Sequence, residues 1–402
     1  MSIIVAILAL GFLVFFHELG HFLAAKACGV AVLEFSIGMG PRLLSRVVHN
    51  TRYSLKLLPF GGSCAMLGED DAGSGDFSTA EGTEGTDGYM DYDGVRIKAS
   101  ELKTQNFQDK PAWKRFIICI AGVFNNFLLA FLLAVIMIAM SGFDKPYIMG
   151  TLEGSPASKA GFTVYQDNSG MTLSDLDLMT GIDLDGRYHK STGSFRDLYI
   201  WLYVHQPDFS GNSEIHVSFL RNGEKHTVAL HPVYSASDGK YRLGISFFSG
   251  RVKAASPGEL IKDSFYELRY NISIVIESLR MIARGQVHRN EVMGPVGTVS
   301  VIGDTVQESS QYGLRAALIV LLELSVMLSA NLGVMNLLPV PALDGGRLFM
   351  ILGEMLTRHR LDPKWEARIN EIGMILLLLI MVLVLGNDIF NVITGAYQNI
   401  GG

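Results

Sequence analysis

Three side chains near the start of the chain have the types and spacing of a catalytic metal site. His17 and His21 are four residues apart, and Glu18 follows the first histidine. On an α-helix, side chains four residues apart lie on one face, so both imidazoles can reach one ion. Glu18 lies about 100° further around the helix, near enough to hold a water molecule at that ion. The His-Glu-x-x-His pattern therefore predicts two zinc ligands and a general base.

The helix that carries these groups must be long and apolar. Residues 2–25 form an apolar run that is long enough to cross a bilayer. Ionisable groups within such a span are costly and usually functional, although two histidines can also be satisfied by backbone groups or by each other. A signal peptide with a cleavage site near Ala25 is disfavoured, because residues 1–16 contain no basic residue and His17 and Glu18 interrupt the apolar run.

Composition narrows the class of protein. The chain has 402 residues, 49% of them hydrophobic, which leaves room for several membrane spans and one soluble domain. A net charge of −6 does not indicate the basic surface that is typical of proteins that bind nucleic acid. The three cysteines, Cys28, Cys64 and Cys119, lie in or beside the first two spans and do not indicate a disulfide framework.

Four apolar segments predict four membrane spans, at roughly 2–25, 116–141, 314–335 and 372–392. Lysine and arginine are frequent in the first and third loops between these spans and absent from both tails. The positive-inside rule therefore places those two loops in the cytoplasm and both termini outside. The segment at about 143–312 is then extracytoplasmic.

The first loop contains two different regions. Residues 29–67 alternate like strands and are punctuated by glycine and proline, which predicts a β-hairpin that either dips into the membrane or stays in the cytoplasm. Residues 68–106 begin with an acidic stretch rich in glycine, serine and threonine, which indicates a disordered cytoplasmic linker. A calcium loop is the alternative for this stretch, but the acids lack EF-hand spacing.

The central segment predicts a soluble α+β module at 147–250. Strand patterns at 214–220 and 225–230 flank a turn at 221–224, and a helix is expected near 194–202. This order resembles a PDZ domain, whose groove accepts a strand or a peptide C-terminus. Residues 251–312 follow as an amphipathic juxtamembrane region. Its pattern fits either a helix on the outer membrane surface or a core helix.

The third ligand is predicted at the other end of the chain. After the third span, Pro339 and Pro341 end the regular helix, and Asp344 follows beside two glycines. An isolated Asp-Gly-Gly would indicate a turn. Here, however, Asp344 lies at the cytoplasmic end of span three, and His17 lies near the cytoplasmic end of span one. Because both lie at one depth, Asp344 is the expected third ligand.

Together these stretches resemble the site-2 protease family of intramembrane zinc metalloproteases, in particular its bacterial branch with a PDZ domain between spans two and three. The resemblance is carried by the histidine motif, the hairpin Leu58–Gly62, the Ala-Gly-x-x-x-Asn stretch that ends at Asn126, Gly294–Gly297 and the long motif Asn336–Gly345. It implies a membrane α-helical bundle of four transmembrane helices with a membrane-associated β-hairpin and an inserted extracytoplasmic α+β PDZ domain. The expected segments are 1–28, 29–67, 68–106, 107–142, 147–250, 251–312, 313–346, 347–370 and 371–396.

The same resemblance implies roles for individual residues. His17, His21 and Asp344 would bind Zn²⁺, and Glu18 would act as the general base. Asn126 and Asn336 would contact the substrate or stabilise the developing oxyanion. The hairpin residues Pro59, Gly61 and Gly62 would hold the unwound substrate as an added strand.

Two departures from the family pattern stand out. Val123 occupies the position in span two where proline is usual, so Asn125 could substitute for Asn126. Residues 163–181 extend the PDZ module where a tighter turn is common, so its groove can differ in shape.

The implied function is cleavage within the transmembrane segments of pre-trimmed single-span proteins, such as anti-sigma factors and remnant signal peptides, in a cell inner or plasma membrane. The expected partners are thus a membrane-protein substrate, the lipid bilayer and a peptide C-terminus or steric contact at the PDZ module, with no nucleic acid. Two alternatives remain at this stage: a non-catalytic membrane adaptor with structural zinc, and a zinc transporter, which is disfavoured because the ligands cluster at one depth.

Overall fold

The computed structural model describes residues 2–69, 83–84, 88–166, 170–236, 239–285, 294–360 and 362–394. The chain divides into two compact units. One is formed by Met1–Leu133 together with Ser278–Gly402, and the other is Ala134–Glu277.

The helices of the described residues belong to both units. In chain order they are α1 (Ser2–Cys28), α2 (Leu102–Gln105), α3 (Ala112–Ser141), α4 (Phe195–His205), α5 (Pro257–Ala283), α6 (Pro295–Ser310), α7 (Leu314–Asn336), α8 (Asp344–Thr357) and α9 (Pro363–Thr394).

Four helices in the described part of the chain are long and apolar enough to cross a membrane. Their apolar stretches are Ile4–Cys28, Ala112–Ser141, Leu314–Asn336 and Arg368–Phe390. The predicted number of spans is therefore confirmed by helix length and composition, and the chain is a membrane protein. The first span ends where Gly29 adopts a φ of 74°, a left-handed conformation that commonly terminates helices.

The predicted hairpin is present as strands β1 (Val32–Val48) and β2 (Thr51–Met66), which pair antiparallel. His49 and Asn50 join them with φ angles of 47° and 55°, as a two-residue turn that matches the twist of the strands requires. Buried Val32, Phe35, Cys64 and Met66 pack in one apolar cluster with residues of α1, α3 and α8. The hairpin is thus anchored to α1, which carries the histidine motif, and to α3 and α8.

An ion pair stabilises the middle of the hairpin. Arg42 donates to both carboxylate oxygens of the buried Glu34, at 2.9 and 2.7 Å. Burial alone would raise the pKa of the Glu34 carboxyl. The hydrogen bonds from Arg42 and Ser54, together with the positive charges of Lys56 and Arg42, outweigh burial and hold that pKa below its ordinary value.

The linker prediction is wrong for residues 88–105. Strands β3 (Thr83–Glu84), β4 (Tyr89–Tyr92) and β5 (Val95–Lys98) form a small sheet, and α2 follows it. Val95 and Ile97 are buried, and Ile97 packs with Ala31 and Leu67 beside the hairpin. Two buried aliphatic residues are enough to fix a short strand that the surrounding polar composition hides. Residues 70–82 and 85–87 of the predicted linker lie outside the described residues.

The second unit contains the remaining strands: β6 (Ile148–Thr151), β7 (Leu178–Leu184), β8 (Tyr188–Ser191), β9 (Ile215–Arg221), β10 (Glu224–Leu230), β11 (Val233–Ser235), β12 (Lys240–Arg242) and β13 (Ile245–Phe247). A four-stranded sheet has the order β10-β9-β7-β8, and two smaller sheets pair β11 with β12 and β13 with β6. Buried Ile215 and Val217 of β9 belong to one apolar cluster with Trp201 of α4.

The predicted hairpin and helix of this unit are present. β9 and β10 pair through the turn Asn222-Gly223, whose φ angles are 50° and 83°. Ser194 begins α4 by accepting a hydrogen bond from the Asp197 N–H at 3.0 Å, an N-cap interaction. Between β6 and β7 the chain forms a 3₁₀ turn over Ala157–Lys159.

Helix α5 buries its polar face within the second unit. Its buried residues are Asp263, Ser264, Glu267 and Asn271. Glu267 accepts a hydrogen bond from Arg196 at 2.5 Å, at the start of α4. The apolar side chains Ile261, Phe265 and Ile276 are instead exposed. This arrangement is the reverse of that in a water-soluble helix and is typical of a helix with an apolar environment outside.

Helix α6 was not anticipated as a separate element, and it packs into the first unit. Ile302 belongs to an apolar cluster with Leu13 of α1, Leu129 of α3 and Leu328 of α7. Residues 286–293, which belong to the predicted juxtamembrane region 251–312, lie outside the described residues.

Candidate metal centre

Helix α1 brings the two histidines of the motif together. His17 and His21 lie one turn apart and are buried, with exposed fractions of 8% and 7%. Their Nε2 atoms are 3.2 Å apart and point to the same side of the helix. The local spacing alone therefore produces two convergent nitrogen donors, as predicted.

Asp344 reaches the same point from the end of α7. The chain leaves α7 after Asn336 and passes Pro339 and Pro341 before it enters α8 at Asp344. Oδ2 of Asp344 lies 3.2 Å from Nε2 of His17 and 3.3 Å from Nε2 of His21. The structure thus brings together the three residues that the sequence nominated as ligands.

The glycines after Asp344 allow this close return of the chain. A side chain at Gly345 would overlap the main chain of Leu337 and Leu338, and one at Gly346 would overlap that of Val340. Ala342 adopts a φ of 70°, which is uncommon for a residue with a side chain. Tight packing of the loop against α8 therefore positions the carboxylate.

The three donor atoms fit a zinc ion. In a tetrahedron, neighbouring ligand atoms are about 1.6 bond lengths apart, so zinc bonds of about 2.0 Å require separations of about 3.3 Å. The three observed separations are 3.2, 3.2 and 3.3 Å. Oδ2 of Asp344 is also buried without a hydrogen bond from any described residue. An ion shared by all three atoms accounts for both observations.

Residues of α3 form a second set of contacts with the two imidazole rings. Nδ1 of His21 lies 2.8 Å from the Ile118 carbonyl oxygen of α3, so it donates its proton there and leaves Nε2 free for a metal. Gly122, one turn further along α3, lies against both rings, and a side chain at this position would overlap them. Sequence alone did not point to Ile118 and gave no role to Gly122, the glycine of the Ala-Gly-x-x-x-Asn stretch, because contacts between two spans leave no local pattern.

A cavity of about 220 Å³ opens beside the three donors. Glu18, Asn336, Cys64 and Arg347 are among the residues that line it. A catalytic zinc site keeps one position open for water, and this cavity provides room for water and a peptide group.

The hairpin approaches Glu18 through a glycine. A side chain at Gly62 would lie 3.2 Å from Cγ of Glu18 and 3.1 Å from the Ser36 carbonyl oxygen. Gly61 precedes it with a φ of 86°, and Pro59 lies two residues earlier in β2. The absence of a side chain at Gly62 therefore leaves the strand backbone close to the carboxylate.

The three asparagines near the centre have different environments. Nδ2 of Asn126 lies 3.1 Å from Nδ1 of His17, and its side chain is completely buried. Asn125 donates to the main-chain oxygen of Phe16. Asn336 is partly exposed, lines the cavity, and places Nδ2 3.5 Å from Nε2 of His17.

The cavity also contains an ion pair that the sequence analysis did not identify. Arg347 of α8 pairs with Glu69, which follows β2, and both side chains are largely buried. Arg347 lies three residues after Asp344, so helical spacing could have placed it near the centre. Glu69 gave no signal because it stands in an acidic stretch.

Comparisons with known proteins agree with this geometry. The sequence profile of peptidase family M50 matches residues 5–380. A Fusobacterium nucleatum protein is 32% identical over 97% of this chain and 99% of its own length. Its name describes it provisionally as a zinc metalloprotease. A Clostridium perfringens protein with the same provisional description is 31% identical over 97% of this chain and 98% of its own length. The zinc metalloprotease RasP of Geobacillus kaustophilus is 27% identical over 96% of this chain and 97% of its own length.

The family profile covers nearly all of the chain, the relatives align almost end to end, and three of the described residues form a zinc-sized cluster. The chain therefore belongs to peptidase family M50, the site-2 protease family, and is a zinc metalloprotease.

Proposed function

We propose that this enzyme hydrolyses peptide bonds within the transmembrane segments of single-span membrane proteins, with His17, His21 and Asp344 as the zinc ligands. The observation that carries the proposal is the triangle of donor atoms, with sides of 3.2 to 3.3 Å, two of whose corners lie on the membrane-spanning helix α1. A site on such a helix is suited to a bond that lies in the membrane.

The chemistry then follows from the surrounding side chains. Bound zinc lowers the pKa of water and polarises a carbonyl group. Glu18, at the cavity wall, accepts the proton of the attacking water and returns it to the leaving amine. The amide of Asn336 lies beside His17 at the cavity and can donate a hydrogen bond to the carbonyl oxygen of the scissile bond.

The hairpin is proposed to present the substrate. A transmembrane helix has its peptide groups hydrogen-bonded to one another, so it must unwind before water can attack. The segment from Pro59 to Gly62 belongs to a sheet of two strands in the described part of the chain. An unwound segment can add to this strand by β-augmentation, and Gly62 would bring it next to Glu18.

The second unit is proposed to be an extracytoplasmic PDZ domain. A cavity of about 200 Å³ lies between α4 and strand β13, with Leu198, Leu202 and Phe247 in its lining. Such a groove between a helix and a strand can accept a peptide C-terminus, and it can also act as a steric filter for substrates that have not been trimmed. The exposed apolar face of α5, with Ile261 and Phe265, would rest on the outer membrane surface.

The membrane topology is proposed from charge. The loops after spans one and three contain most of the basic residues near the spans, so the active site would lie towards the cytoplasmic side of an inner or plasma membrane. Anti-sigma factors and remnant signal peptides, pre-trimmed outside, are the proposed substrates in regulated intramembrane proteolysis.

Cleavage of a labelled single-span peptide by the purified full-length protein in liposomes tests the proposal. We expect cleavage that stops with a zinc chelator and returns with added zinc, at a bond within the apolar segment. A non-catalytic adaptor with structural zinc would bind the metal without cutting the peptide. Cleavage confined to soluble flanks of the peptide would instead contradict the intramembrane site.

A further inference from the structure

Asn126 lies behind the metal centre rather than in it. It belongs to α3, its side chain has an exposed fraction of 0%, and its amide faces Nδ1 of His17 at 3.1 Å. Its main-chain oxygen accepts a hydrogen bond from Ser329 of α7 at 2.8 Å. The described residues that line the cavity include Asn336 but not Asn126. A substrate in the cavity would therefore meet Asn336, with the ring of His17 between it and Asn126.

The proton on His17 depends on which amide atom faces the ring. A neutral imidazole has one N–H, and the nitrogen that binds a metal must be the other one. If Nδ2 of Asn126 donates to Nδ1, the proton of His17 must be on Nε2, which points at Asp344 and His21. That protonation state blocks metal binding.

The opposite orientation removes this conflict. Oxygen and nitrogen of an asparagine amide are nearly the same size, so their assignment follows from the hydrogen-bond network. In the present orientation Oδ1 of Asn126 is buried without a hydrogen bond from any described residue. Turning the amide by 180° lets Oδ1 accept the Nδ1 proton and frees Nε2. Both orientations form one hydrogen bond with His17, so the need for a free Nε2 decides between them.

We propose that Asn126 is a positioning residue, whose amide oxygen accepts the Nδ1 proton of His17 and thereby presents the Nε2 lone pair to zinc. This inference rests on the proposed ligand set. It gives Asn126 a role different from the substrate contact that the family resemblance implies. It also makes the two histidines equivalent, because each then donates its Nδ1 proton to an oxygen of α3, from Ile118 or from Asn126.

Zinc affinity of the purified full-length protein separates the two roles. Loss of a hydrogen-bond acceptor behind a ligating histidine typically weakens metal binding about 10–100-fold. We expect a loss of that size in Asn126→Leu, measured by competition with a chromophoric chelator. Asn126→Asp keeps an acceptor oxygen and should bind zinc nearly as tightly as the wild type. The control is Phe124→Leu, which changes a 64% exposed side chain of the same helix and should leave zinc affinity unchanged.

Cleavage kinetics provide a second readout. With Asn126 as a positioning residue, added zinc should restore the activity of Asn126→Leu, and the visible absorption of bound Co²⁺ should change in that variant. A substrate contact would instead raise KM at saturating zinc and leave both zinc affinity and the Co²⁺ spectrum unchanged. That result, or an Asn126→Asp variant as weak as Asn126→Leu, would overturn the inference. If the leucine variant does not fold, Asn126→Ala removes the same oxygen and takes its place.

One further variant distinguishes this inference from the proposed function. His17→Ala should lose tight zinc binding if the proposed ligand set is correct. Wild-type zinc affinity in His17→Ala would refute the ligand set itself. Loss in His17→Ala together with wild-type affinity in Asn126→Leu would refute only the role of Asn126.

Discussion

Oδ2 of Asp344 lies 3.2 Å from Nε2 of His17, although the two residues belong to opposite ends of the chain. The carboxylate stands at the first residue of α8, and the imidazole stands on α1. An ion bound between them would therefore connect the first membrane-spanning helix with the segment that follows the third. Because such an ion binds the folded chain only, metal binding should also stabilise the bundle.

Replacement of Asp344 tests this connection. We expect Asp344→Ala to lose tightly bound zinc and cleavage, because two imidazoles alone leave the site one ligand short. A chelator should lower the midpoint of thermal unfolding of the wild type but not of the variant. Asp208→Ala, which removes a carboxylate that is 52% exposed in the second unit, is the control and should keep its zinc. Stoichiometric zinc in Asp344→Ala, measured by elemental analysis, would contradict the assignment.

Glu18 is expected to serve the reaction and not the metal. In Glu18→Gln the side chain keeps its size but cannot take a proton, so zinc content should stay at the wild-type level. General-base catalysis typically contributes about 10²–10⁴-fold, and cleavage of the single-span peptide should fall by at least that factor. Normal turnover by this variant would remove Glu18 from the proton-transfer step, whereas loss of zinc would indicate that it acts as a ligand.

Replacing Gly122 by alanine should damage the metal centre, although alanine is the better helix former. Alanine normally stabilises a helix by about 1 kcal/mol relative to glycine. At Gly122, however, the added methyl group would overlap the rings of His17 and His21, so Gly122→Ala should weaken zinc binding. Gly353 of α8 has no atom within 4 Å of the equivalent position, which makes Gly353→Ala the control. Equal zinc affinities in the two variants, measured by chelator competition, would show that α3 is not packed as described.

The parts of the centre that follow from local spacing were predictable. His17 and His21 share a helix face by the period of the α-helix alone, and the shared depth of spans one and three nominated Asp344. Ile118 and Gly122 were not predictable in this way, because their roles depend on how α3 packs against α1. Periodicity reports which face of a helix is apolar, but it does not report which residue of a second helix lies opposite.

Composition misled the interpretation where a few residues outweigh their surroundings. Val95 and Ile97 follow a stretch of acidic and small residues and were interpreted together with it as disordered, yet both are buried in a short sheet. In α5 the amphipathic pattern was recognised, but the pattern did not say which face is buried. The structure shows that the polar face is buried, with Asp263 and Glu267 inside and Phe265 exposed. The buried carboxylates contact residues that are distant in sequence.

The fourth span contains a carboxylate whose role the structure explains. Asp388 of α9 is completely buried and accepts hydrogen bonds from the main-chain N–H groups of Gly294 and Gly297, at 2.8 and 3.0 Å. The first N–H groups of a helix have no partner within it, so Asp388 satisfies two donors at the start of α6.

Leaving a buried donor unpaired costs about 1–3 kcal/mol. Asp388→Leu should therefore lower the midpoint of thermal unfolding in detergent, and Asp388→Asn, which keeps one acceptor oxygen, should lower it less. Val382→Leu changes an exposed position on the same helix and should have no effect. If Asp388→Leu unfolds at the wild-type temperature, α6 does not depend on this cap.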